Sequence, residues 1–219
     1  MNANPEAPAP AALSAGRTDG LAEVLDAVMG QAAGTISVLL NRRVLLKVPV
    51  IEHVTTPGLI AFFEEKLADV GVTIRQRYCG SLNGAAALAF SSENALSFVR
   101  ALVGIEHELD RLSAADQAVL AEAGNIVLNA AIGVMADRCS SRLRISLPDV
   151  SLSRKGKDVA LELLGAVAEA HSALVLMNRF SIGDLELTGY VILLMPEGDV
   201  KRLLACFDGD KASKDLARR

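Results

Sequence analysis

The sequence contains no tryptophan, and its 219 residues include only two tyrosines and six phenylalanines. So few rings supply no stacking platform for nucleic acid. A basic footprint is missing too, because 22 Lys and Arg against 26 Asp and Glu leave a formal charge of −4. Nucleic acid is therefore excluded as a partner. Cysteine is scarce: Cys79, Cys139 and Cys206 are odd in number, with no C-x-x-C pair and no histidine at a ligand spacing. They read as buried thiols of a reducing compartment. The histidines, His53, His107 and His171, are equally scattered, so they read as packing or surface residues, and no metal site is expected. No run reaches the eighteen or so uninterrupted apolar residues of a bilayer span, because Asn125 and Asn129 interrupt the best candidate. The opening "MNANPEAPAPAALSAG" has no basic n-region and is broken by prolines. Residues 1–18 are expected to form a mobile Pro/Ala-rich tail, and the protein is expected to be cytoplasmic, with no membrane partner.

What is present is enough apolar residue for a generous core, 51% against 22% charged. The chain is also written twice. A shift of 99 residues lays "LAEVLDAVMGQAAGTISVLLNRRVLLKVP" (Leu21 to Pro49) over "LAEAGNIVLNAAIGVMADRCSSRLRISLP" (Leu120 to Pro148) without a gap. Each copy runs from helical spacing into alternation of period two, Val44, Leu46, Val48 and then Leu143, Ile145, Leu147, stopped by proline. Later, at a shift of 105, "GAAALAFSSENALSFVRALVG" overlies "GYVILLMPEGDVKRLLACFDG".

"SLNGAAALAF" predicts a hairpin turn at Asn83-Gly84, and Ala95, Phe98, Val99 and Leu102 predict a helix ending at Gly104. Val200, Leu203, Leu204, Phe207 and Gly209 repeat that stripe. Ser113, three residues before Asp116, predicts the start of the second long helix. The stretch from Thr56 to Gly71 has helical periodicity and no obvious twin. These patterns predict an α/β (α+β) fold: an internally duplicated, pseudo-two-fold body with a shared mixed or antiparallel sheet and two long helices packed on it. Residues 19–209 form the single domain, with repeats at 19–104 and 113–209, followed by a charged tail at 210–219.

In "AEAGNIVLNAAIGVMAD" (residues 121–137), Glu122, Asn125 and Asn129 fall on one helical stripe, within about 60° of one another. Ala118, Gly133 and Ala136 share it, while Leu120, Val127, Ala131 and Val134 lie opposite, toward the core. A flat polar strip flanked by small side chains lets another protein's surface approach to hydrogen-bonding distance.

Glu122, Asn125 and Pro148, spaced E-x-x-N followed by 22 residues and a proline, resemble the signature of the CheC/CheX/FliY family of chemotaxis phosphatases. The surrounding "EAGNIVLNA", the later Phe180, Ile182 and Gly189, and the internal repeat extend the likeness over roughly residues 19 to 209. Two positions depart from it. Ala118 stands where the family has Asp or Ser, and the first copy reads Asp19, Glu23, Asp26 and Pro49, with Asp26 in the asparagine's place.

The resemblance implies a two-component signalling hydrolase that removes the aspartyl phosphate of a CheY-like response regulator. Asn125 would orient water and Glu122 would pair with the receiver's lysine. Pro148, Pro49 and Asn129 would be supporting residues, and the Asp19, Glu23, Asp26 face a degenerate second site that an asparagine at 26 would complete. It implies no cofactor bound by this chain, since the partner receiver domain brings the Mg²⁺. It also allows a non-catalytic binding module for a receiver domain or a CheD-like receptor deamidase. A monomer is expected.

Overall fold

The computed structural model describes residues 15–104, 112–167 and 172–216. His107, His171 and most of the segment joining the two halves of the chain lie outside the described residues. In the first half, α1 (Ala15–Leu40) leads to β1 (Val44–Thr55), α2 (Thr56–Lys66), β2 (Asp69–Gly80), β3 (Gly84–Ser91) and α3 (Ser92–Val103). The second half runs α4 (Ala114–Arg138), β4 (Leu143–Ile145), β5 (Asp149–Lys155), α5 (Gly156–Gly165), β6 (Ser172–Ile182), β7 (Leu185–Met195) and α6 (Glu197–Leu216). Each half is thus α-β-α-β-β-α, with the first strand of the second half broken into β4 and β5.

All seven strands belong to one sheet, ordered β1-β6-β7-β3-β2, with β4 and β5 both on the far side of β2, and every pairing is antiparallel. Exchanging each strand for its counterpart in the other half reverses this order and leaves it otherwise unchanged. β3 of the first half and β7 of the second meet at the centre, so neither half has a complete sheet alone.

Side-chain alternation builds two cores. Ala86, Leu88 and Phe90 of β3, with Leu174 and Leu176 of β6, pack under α1, α3, α4 and α6. Ala85, Ala87 and Ala89, with Val175 and Ile192, face α2 and α5 on the other side. Six helices therefore cover the sheet, among them the two long ones expected, α1 and α4.

Several expectations from the sequence are met residue by residue. Ser113 caps α4 through a reciprocal box, Asp116 N donating to Ser113 Oγ at 3.2 Å and Ser113 N to Asp116 Oδ2 at 2.8 Å. Ala95, Phe98, Val99 and Leu102 are the buried face of α3, which stops at Gly104 in the left-handed conformation.

Other expectations are corrected. The α1 helix begins at Ala15, inside the stretch read as tail, and α6 continues past Gly209 to Leu216, through most of the charged tail. The α2 helix does have a twin: Leu59 and Phe63 correspond to Val159 and Leu163 of α5 at a shift of 100, one residue out of phase with the preceding helix and strand. The β2–β3 hairpin turns through Ser81, Leu82 and Asn83, and Gly84 already opens β3 opposite Tyr78. Gly84 is needed because Tyr78 and the Leu194 carbonyl occupy the space a side chain would fill.

Both prolines lie where a first strand slips by one residue. In β1 the register against β6 jumps between Lys47 and Val50, leaving Asn178 alone opposite Val48 and Pro49. In the second half Ser146 N donates to Arg77 O, and pairing resumes at Asp149 opposite Arg75, leaving Gln76 alone opposite Leu147 and Pro148. Proline has no N–H to give the ladder, so the extra residue is accommodated as a bulge. Each bulge faces a buried side-chain amide.

Candidate functional site

The α4 helix is positioned by a broad apolar face. Leu120, Ala123, Val127, Leu128, Ala131, Ile132, Val134 and Met135 are buried among the sheet and the neighbouring helices. By length and composition α4 could cross a membrane, but half of its most apolar window is buried inside this fold, where it serves as a core helix. Gly124 sets its height over the sheet, since a methyl group there would come within 2.8 Å of Ile74 Cγ2 on β2. The outward strip is the one the sequence predicts: Ala118, Glu122 and Asn129 are exposed, and Asn125 is half-buried at its inner edge. Glu122 makes no hydrogen bond or ion pair among the described residues.

Asn125 is held in place. Its Oδ1 accepts from Gln76 Nε2 at 3.0 Å and from Asn129 Nδ2 at 2.9 Å. Gln76, on β2, also donates from Nε2 to the Ser146 carbonyl at 3.1 Å. That carbonyl is free for it because Arg77 N, its usual ladder partner, is taken at 3.0 Å by Ser146 Oγ. A backbone carbonyl only accepts, so it fixes which end of the Gln76 amide faces it. Gln76 must then present N–H to Asn125, and Asn125 must present oxygen. The Asn125 NH₂ group is left for whatever meets the strip. Gln76 is only 2% exposed and its Oε1 has no partner among the described residues, an arrangement that costs about 1–3 kcal/mol relative to a satisfied site.

Pro148 and Leu147 border this strip. Leu147 is 88% exposed on the bulge, whereas its counterpart Val48 is buried. An open groove lined by Arg77, Cys79, Arg144, Ala166 and Val167 lies on the other face of the sheet, beside the end of α5, because Arg77 alternates with the Gln76 that faces α4.

The first-half strip differs by more than residue 26. Asp26 Oδ1 accepts from Val48 N at 3.0 Å, so the carboxylate closes the bulge of its own half. The amide facing that bulge, Asn178, donates to the Leu176 carbonyl at 2.9 Å and not to α1. Glu23 is exposed. The side chains of Asp19 and Pro49 lie outside the described residues.

Neither Gln76 nor Ser146 stands out in the sequence as a member of this site. The signal that could have found them is the shared bulge, which points one strand residue at each helix. The cysteines also require correction: Cys139, at the end of α4, is joined to Cys206 of α6 with Cα atoms 5.4 Å apart, and Cys79 is exposed. They are not three buried thiols. Among the described residues, no group of three or more His, Cys, Asp and Glu side chains is placed to hold a metal ion.

This architecture has solved counterparts. FliY of Thermotoga maritima superposes with a TM-score of 0.71 at 21% identity, over 90% of this chain and 98% of that one. The FliM middle domain of H. pylori does so at 0.60 and 13%, over 89% and 99%. These likenesses establish the fold class. No family model matches the chain, but over 150 residues it is 30% identical to the CheY-P phosphatase CheC of Bacillus subtilis (strain 168), spanning 67% of this chain and 71% of that one. The chain belongs to the CheC/CheX/FliY family.

Proposed function

We propose that the protein accelerates hydrolysis of the aspartyl phosphate on a CheY-like response regulator, with α4 as the docking helix. The observation that carries this reading is the Glu122/Asn125 pair on an accessible strip, with the Asn125 amide already oriented. The relative named a CheY-P phosphatase supports it.

An acyl phosphate is intrinsically reactive, so a catalyst mainly has to place a water in line and leave the developing charge to the receiver's own Mg²⁺. With its oxygen occupied by two donors, Asn125 meets water through Nδ2. Donation from Nδ2 engages one lone pair of the water and leaves the other to face phosphorus. Glu122, one turn earlier and unpaired, is suited to the receiver's lysine, a contact that supplies binding rather than chemistry. Ala118 adds no polar group but also no obstruction.

Decay of a phosphorylated receiver domain with and without the protein is the test. Faster loss of phosphate supports the phosphatase. Binding with an unchanged decay rate selects instead the non-catalytic module for a receiver or a CheD-like deamidase.

A further inference from the structure

We infer that Gln76 is a positioning residue for Asn125, contributed by the first half of the chain to the site on the second, and that it sets which end of the Asn125 amide meets the water. This rests on the phosphatase reading for its kinetic consequence, though not for its geometry. Three observations carry it. Gln76 Nε2 bridges the Ser146 carbonyl and Asn125 Oδ1. The Ser146 hydroxyl replaces that carbonyl in the ladder, so the acceptor that orients Gln76 is itself held by β2. And Gln76 is buried with an unpartnered Oε1, a desolvation cost that offsets much of what its two donated hydrogen bonds contribute to stability. A glutamine that adds little to stability while fixing the key amide belongs to the site rather than to the core.

The discriminating substitution is Gln76→Met, which keeps length and removes both donors. In the free protein, the Asn125 side-chain amide should change from rigid to mobile in ¹⁵N relaxation, with its order parameter falling below about 0.6. Against a phosphorylated receiver domain, kcat should fall at least about tenfold with KM within about twofold. The melting midpoint should change little, because removing the unpartnered Oε1 offsets the two hydrogen bonds lost from Nε2, whereas a purely structural glutamine would lower the midpoint and leave kcat alone. Gln76→Glu serves as a second variant, since its carboxylate accepts only. It should turn the Asn125 amide over, protect its NH₂ protons from exchange and lower kcat as well.

An Asn125 amide as rigid in Gln76→Met as in the wild type overturns the inference, as does a lower melting midpoint with kcat retained. If the wild-type protein itself leaves receiver decay unchanged, the phosphatase reading fails, and the relaxation and exchange measurements still decide whether Gln76 orients Asn125.

Discussion

The carboxylate of Asp26 accepts a hydrogen bond from the backbone amide of Val48 at 3.0 Å, sewing α1 to the bulge of β1. Its counterpart Asn125 turns instead to Gln76, and the residue equivalent to Val48, Leu147, stands out in solvent. One half of the body has closed the gap between helix and bulge; the other has kept it open. Asp26→Ala should leave the half-buried Val48 N–H without a partner and cost about 1–3 kcal/mol, whereas Asp26→Asn retains an oxygen acceptor and should be close to neutral. Urea unfolding of the two variants checks this. Because Asn178 does not reach α1, Asp26→Asn in an Asn125→Ala background should fail to restore hydrolysis, in contrast to what the sequence alone suggests.

Glu122 and Asn125 should separate in kinetics. Loss of a charge-assisted contact of about 1.5–3 kcal/mol in Glu122→Ala should raise KM for the phosphorylated receiver by about tenfold or more, with kcat little changed. Asn125→Ala should lower kcat by about 100-fold with KM retained, as expected when a water loses its orientation. Asn129→Ala removes only the exposed one of two donors to Asn125 Oδ1, so its effect on kcat should be small. Equal effects of Glu122→Ala and Asn125→Ala on KM alone would remove the division of roles.

The strip, the capped start of α4 and the apolar stripe of α3 were all legible in the sequence, because each depends on spacing within one helix. The pairing of α2 with α5 was not, because the correspondence shifts from 99 to 100 residues there and identity is lost where only shape persists. Gln76 was illegible for another reason. It lies 49 residues before Asn125 in a strand whose alternation reports burial and nothing about a neighbouring amide. The Cys139–Cys206 link, spanning 67 residues, likewise depends on α6 lying beside the end of α4.

His53 of β1 gives the fold a pH dependence. Burial lowers its pKa from the ordinary value near 6.5, with the opposing charge of Glu197 offsetting part of the effect, and its Nε2 has no partner among the described residues. The fold therefore favours neutral imidazole, and the unfolded chain binds the proton more readily. The corresponding stability is fully present above about pH 6.5 and is lost as the pH falls below it. Between pH 7 and 5 the melting midpoint of the wild type should fall more steeply than that of His53→Leu. Parallel slopes would show that other groups govern the acid limb.

Two glycines of α4 should respond in opposite directions to the same substitution. At Gly133 nothing lies within 4 Å of the position a methyl would take, so Gly133→Ala should stabilise by about 0.5–1 kcal/mol through helix propensity alone. At Gly124 the same gain is opposed by Ile74, whose Cγ2, Cβ and Cγ1 would stand 2.8, 3.0 and 3.1 Å from the new methyl. These are branch atoms close to the β2 backbone and cannot swing aside as the end of a long side chain would. Overpacking of this kind costs about 1–3 kcal/mol, so Gly124→Ala should be destabilising on balance. The strain also has a functional direction, because lifting α4 from β2 stretches the bond from Gln76, two residues beyond Ile74, to Asn125, the residue after Gly124. Turnover of a phosphorylated receiver should therefore fall in Gly124→Ala and not in Gly133→Ala. Ile74→Ala should be destabilising alone, through the cavity it leaves, yet less so in combination with Gly124→Ala, whose methyl then occupies part of that space. A double-mutant cycle by chemical denaturation measures the coupling, and strict additivity of the two changes would show that α4 does not sit on Ile74 as described.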